Sequence, residues 1–135
     1  MSSSQLILVV EDNEANQMLA RAVLELEGYE VRVVGSGPEL FEALQECRPD
    51  LILMDVQLPG QDGLSLTGTL KADAATAAIP VVALTAHAMT PDRQLAISAG
   101  CAGYISKPIN TRTLGSQVRQ FLAPSVDDDR RLVAQ

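Results

Sequence analysis

The chain has no tryptophan, and its 135 residues include only two tyrosines, two phenylalanines, one histidine and two cysteines. Cys47 and Cys101 do not have metal-ligand spacing, and a chain rich in aliphatic residues needs no disulfide framework, so both read as small core residues in a reduced compartment. Positive charge is scarce as well. Ten Lys and Arg stand against seventeen Asp and Glu for a net charge of −7, and the basic residues are scattered, which argues against direct nucleic-acid binding. No apolar run approaches the roughly 20 residues of a membrane span, and "MSSSQLILVVEDNE" carries no basic leader. The expected setting is the cytoplasm, with no membrane partner.

What remains is an aliphatic chain, 47% hydrophobic with only 3% aromatic, of a length suited to one domain. Five β-type runs alternate with helical patterns: "LILVV" (6–10), "YEVRVV" (29–34), "LILM" (51–54), "VVAL" (81–84) and "GYIS" (103–106). That alternation predicts an α/β fold with a parallel sheet. Runs one, three and four are apolar throughout and belong in the middle, with the second and fifth at the edges. Helices are predicted over 14–27, ending at Gly28, and over 38–47, opening on Pro38. A last helix is expected over 110–122, capped by Asn110 or Thr111 and stopped by Pro124. The helices near 63–71, which contains Gly68, and 91–99 should be the most weakly held. The domain is expected to span 1–123, leaving 124–135 as a short tail with no output domain.

In an open parallel sheet, ligands bind beyond the carboxyl ends of the strands. Here those ends carry Glu11 and Asp12, then Asp55, Thr85 and Lys107. Two carboxylates about 4 Å apart repel by roughly 4 kcal/mol at an effective dielectric of 20, and Lys107 offsets only part of that. Asp12, Asp55, a backbone carbonyl and waters make the hard-oxygen set that Mg²⁺ prefers. A carboxylate beside a metal, an ammonium and a hydroxyl is equipped to attack phosphorus, with Asp55 as acceptor and Thr85 and Lys107 stabilising the transferred group. Taken alone, Glu11 and Asp12 also suit the cap of the first helix.

The segments "ILVVEDNEANQ", "PDLILMDVQLPGQDG", "IPVVALTAHAM" and "GYISKPI", in this order, closely resemble the receiver domain of bacterial two-component response regulators over about residues 5–123. The resemblance implies a doubly wound, flavodoxin-like, five-stranded sheet in the order 2-1-3-4-5 with five helices. It also implies phosphotransfer from a histidine kinase or histidine phosphotransfer protein onto Asp55. Glu11 and Asp12 then match the acidic pair, the Gln57 carbonyl a metal ligand, Thr85 the switch hydroxyl, Tyr104 the aromatic switch position, and Lys107 the family's lysine. Pro108 matches a proline whose preceding peptide bond is usually cis. "TAHAM" and "SKPI" are most similar to stand-alone regulators of cell polarity and cell cycle, or to receivers of hybrid kinases. Beyond accepting a phosphoryl group and losing it slowly, no enzyme activity is implied. The readout is phosphorylation-dependent protein binding, with a homodimer through the fourth and fifth helices as one candidate. Gln57 and His87, near the pocket mouth, are expected to tune phosphate lifetime.

Two other readings fit the fold or the chemistry less well. A flavodoxin-like electron carrier needs Ser, Thr and Gly donors in its first loop, where "EDNE" presents negative charge to a flavin phosphate. A small phosphatase of the haloacid dehalogenase type needs an acid two residues after its nucleophile, and that position is Gln57.

Overall fold

The computed structural model describes residues 5–58, 60–86 and 90–122. In chain order these form β1 (Leu6–Val10), α1 (Glu14–Leu26), β2 (Glu30–Val34), α2 (Gly37–Glu46), β3 (Leu51–Asp55), β4 (Gln57–Leu58), β5 (Gln61–Asp62), α3 (Gly63–Ala72), β6 (Val81–Thr85), α4 (Thr90–Ala99), β7 (Gly103–Ser106) and α5 (Leu114–Phe121). Five strands make one parallel sheet in the order β2-β1-β3-β6-β7. This is the expected 2-1-3-4-5 order, because β4 and β5 pair only with each other, as a separate antiparallel hairpin.

Helices cover both faces of the sheet, which is why β3 and β6 are buried at every position. Ile7, Val9, Leu51, Leu53, Val82 and Leu84 point to the side of α1 and α5, where Leu24, Leu114 and Val118 meet them. Leu8, Val10, Ile52, Met54 and Ala83 point to the other side, against Leu40, Leu66, Leu70 and Ala96 of α2, α3 and α4. The alternation along each strand therefore divides the core into two layers, in which each fully buried leucine contributes about 1.5–3 kcal/mol. No helix among the described residues is long and apolar enough to cross a membrane.

Caps set the helix starts. Asn13 caps α1 by accepting from Asn16 N at 3.0 Å, so neither Glu11 nor Asp12 is used for that purpose. Ser36 caps α2 and Asp62 caps α3, each accepting from a backbone N–H of the first turn. Gly28 closes α1 at φ +96°, donating to Glu25 O while Tyr29 N bonds Leu24 O. The last helix begins at Leu114, its first apolar residue, and not at the cap expected at Asn110 or Thr111. Asn110 Oδ1 accepts from Arg112 N and holds a turn over 111–113, and Thr113, the N-cap, makes no side-chain cap bond. The third strand runs one residue longer than expected, so Asp55 lies inside β3. Of the two cysteines, both free, Cys101 is buried and Cys47 only partly so.

At the far end of the molecule, Lys71 of α3 donates to Ala77 O at 3.0 Å and Ile79 O at 2.5 Å. Its stem lies across Gly100, where an added Cβ would come within 2.7 Å of Lys71 Cγ. Gly100, at φ +105°, ends α4 with Gly100 N bonded to Ile97 O and Cys101 N to Ala96 O.

Candidate functional site

The C-terminal ends of β1, β3, β6 and β7 meet at one edge of the sheet and bring Glu11, Asp12, Asp55, Thr85 and Lys107 together there. Lys107 reaches the centre because its N–H bonds Thr85 O at 2.8 Å, which draws the chain after β7 back over the end of β6. The Lys107–Pro108 peptide is cis, as the family resemblance implied. Lys107 Nζ then lies 2.9 Å from Glu11 Oε2 and 3.1 Å from Asp55 Oδ1.

Asp55 is 2% exposed. Its Oδ1 accepts from Gln57 N at 2.9 Å in addition to the Lys107 contact. Its Oδ2 is buried and accepts no hydrogen bond among the described residues. Burial pushes the Asp55 carboxyl up to about 6; the nearby Glu11 charge adds to the rise, while the Gln57 N–H and Lys107 oppose it. Burial also draws the Lys107 ammonium down, but Glu11 and Asp55 outweigh that and hold it above the usual lysine value. Glu11 is 1% exposed, and its Oε1 accepts from Asn13 N at 3.2 Å. Its Oε2 has the ion-pair distance to Lys107 without hydrogen-bond geometry, so the contact is electrostatic.

One ligand oxygen from each of Glu11, Asp12 and Asp55 lies within 4.8 Å of the other two. Lys107 pairs with two of these three carboxylates, and the buried Asp55 Oδ2 still has its lone pairs to give, so the donor set fits a hard divalent cation. Gln57 follows Asp55 at the start of the β4–β5 hairpin, and Thr85 is buried at the end of β6. A cavity of about 180 Å³ between them is lined by Val56, Leu64, Ala83 and Leu95 as well. Tyr104 sits half-buried on edge strand β7 and packs on the α2–α4 side of the core. His87 and residues 123–135 lie outside the described residues.

Two residues at the site, each the last of a segment that carries the family resemblance, have no role assigned by the sequence. Gly63, the first residue of α3, bonds Val56 O through its N–H and passes directly over the Asp55 carbonyl. Gln17 donates its side-chain amide to Glu11 O. The local sequence gives neither of them a role, since both act on a backbone brought near by folding.

Residues 7–119 match the family model described as the response regulator receiver domain. The chain is 43% identical over 116 residues to the polar-differentiation response regulator DivK of Brucella anthropi, covering 86% of this chain and 94% of that protein. Among solved structures it resembles the chemotaxis response regulator CheY4 of Vibrio cholerae, with a TM-score of 0.84 and 25% identity over 89% of this chain and all of that one. It also resembles the receiver domain of a sensor histidine kinase from Pseudomonas aeruginosa, with a TM-score of 0.79 and 36% identity over 88% of this chain and 98% of that one. In that structure a magnesium ion is coordinated in the active-site cleft. A carboxylate cluster at the switch edge of a doubly wound sheet and a family match across most of the chain agree: this protein belongs to the response regulator receiver domains of two-component systems.

Proposed function

We propose that Asp55 is the phosphoacceptor of this receiver domain and that Glu11, Asp12, Asp55 and the Gln57 carbonyl hold Mg²⁺. One observation carries this reading: Asp55 is buried with Oδ1 held by Gln57 N and Lys107, while Oδ2 has no hydrogen-bond partner among the described residues. A carboxylate so placed is oriented, poorly solvated and short of a cation or an electrophile. In the transfer, an Asp55 oxygen forms a bond to phosphorus as the donor's phosphorus–nitrogen bond breaks, and the departing imidazole takes a proton. Lys107 pairs with one phosphoryl oxygen and the Thr85 hydroxyl donates to another. Magnesium, when bound, would supply positive charge against the phosphoryl oxygens. Hydrolysis by water later restores the carboxylate and releases phosphate, at a rate that Gln57 and His87 tune.

The intact mass of the protein should rise by one phosphoryl group on incubation with acetyl phosphate and Mg²⁺, and a chelator should prevent the gain. An unchanged mass with donor and metal both present would refute the assignment.

The donor is a histidine kinase or histidine phosphotransfer protein. Supporting this, α1 presents exposed Ala15, Met18, Ala22 and Leu26 along one side, starting beside Asp12; Met18 is 71% and Leu26 88% exposed. An apolar stripe at these spacings suits docking against helices. Met18→Glu is expected to slow phosphorylation by a protein donor at least tenfold while leaving acetyl phosphate uptake unchanged. Equal slowing with both donors would instead mean damage to the pocket. On phosphorylation Thr85 moves toward the phosphoryl group and Tyr104 turns inward, which changes the α4–β7 surface that a target protein reads. The cavity adjoining Thr85 leaves room for such a displacement.

A further inference from the structure

We infer that Gln17 is a positioning residue for the divalent-cation site, acting through the backbone of the Glu11–Asp12 pair. This rests on the reading of that pair as cation ligands. Glu11 is held in four ways: its N–H bonds Val34 O at 2.9 Å, Oε1 accepts from Asn13 N at 3.2 Å, Oε2 faces Lys107 at 2.9 Å, and its carbonyl accepts from the Gln17 side-chain amide. Only the last of these fixes the peptide that leads into Asp12.

The reason a side chain is needed lies in the sheet. β1 and β2 pair in register as far as Val10 and Val34, and Glu11 N continues the ladder by one bond. Gly35 then turns away toward α2, and its N–H is taken by Glu39 Oε1 at 2.6 Å. The Glu11 carbonyl thus sits where the ladder stops, and Gln17, one turn into α1, supplies the donor that the strand no longer does. A Cβ built on Gly35 would lie 3.7 Å from Gln17 Nε2 and 3.9 Å from Glu11 O, ordinary contact distances, so the turn of β2 runs alongside this bond without crowding it. A partly buried carbonyl deprived of its donor would rotate toward water, carrying the Glu11 and Asp12 side chains out of their shared geometry.

The test is calorimetric Mg²⁺ titration of the full chain alongside thermal melting. Gln17→Leu removes the donor, and Gln17→Asn keeps an amide too short to reach. Both should weaken Mg²⁺ binding by about tenfold or more, as loss of an outer-shell partner does. Phosphoryl uptake should then approach the wild-type rate once Mg²⁺ saturates. Arg21→Leu serves as the comparison, because Arg21 ties the same helix to Val31 O at 3.3 Å without touching Glu11; it should leave Mg²⁺ affinity unchanged even if it lowers Tm. Wild-type affinity in either Gln17 variant, or equal losses in Arg21→Leu, would overturn the inference. Failure of the wild-type protein to bind Mg²⁺ would instead overturn the cation-site reading on which it rests.

Discussion

Asp55→Asn is expected to take up no phosphoryl group from any donor and, in the absence of metal, to be more stable than the wild type above pH 6. The first effect follows from removing the nucleophile, because an amide nitrogen or oxygen does not form a stable bond to phosphorus under these conditions. The second follows from the pKa. Burial raises Asp55 from 3.8 to about 6, so the folded protein holds this proton more tightly than the unfolded chain. Its contribution is therefore fully present below pH 4 and is lost as the pH rises through 6. At 1.36 kcal/mol per pH unit the full loss is about 3 kcal/mol, and Asn recovers about 1–2 kcal/mol of it because its own amide must still be accommodated where Oδ2 lies. Lys107, with its pKa raised, contributes evenly across this window and gives no slope. Melting curves without metal from pH 4 to 8 should fall for the wild type and run flatter for the variant. Mg²⁺ at pH 7.5 should raise Tm in the wild type alone. A variant that still gained mass from acetyl phosphate would show that another residue accepts the group.

Gly63→Ala is expected to lower stability by about 3 kcal/mol or more, whereas Gly68→Ala, five residues along the same helix, should raise it by about 0.5–1 kcal/mol. A Cβ at position 63 would sit 2.0 Å from Asp55 O, 2.9 Å from its carbonyl carbon and 3.0 Å from Val56 Cα. All three are backbone atoms, and no rotamer change relieves them. The chain carrying the phosphoacceptor or the start of α3 would have to move, so the mutant should lose Mg²⁺ affinity along with Tm. At position 68 an added Cβ meets nothing within 4 Å. There the methyl removes only the conformational freedom of a glycine in mid-helix. Thermal denaturation of the two variants side by side checks both signs, and a Gly63→Ala protein as stable as wild type would show that the two segments are not packed as described.

The two glycines also mark how far local sequence carries. Gly68 looked like the weak point of its helix by propensity, while Gly63 drew no notice, yet only Gly63 has a neighbour that forbids a side chain. The apolar runs gave the sheet and its edges correctly because a strand covered on both faces must be apolar at every position, as β3 and β6 are. Asp55, Thr85 and Lys107 were legible as a group because the chain's alternation places the ends of successive parallel strands together. Asn13 was passed over as a cap in favour of its acidic neighbours, and the β4–β5 hairpin went unseen, since two-residue strands carry no periodicity. Gln17 was invisible for a different reason: its partner is a main-chain carbonyl, and which carbonyl lacks a donor is known only when β2 is seen to turn away.

The Lys71 crosspiece over Gly100 has a consequence for how a signal leaves the pocket. While its ammonium holds two carbonyls of the α3–β6 connection, its stem packs against Gly100 at the end of α4 farthest from Asp55. On the proposed movement of Thr85, that packed end would act as the pivot of α4, and small travel at the phosphate would become tilt of the helix and not sliding of it along the sheet.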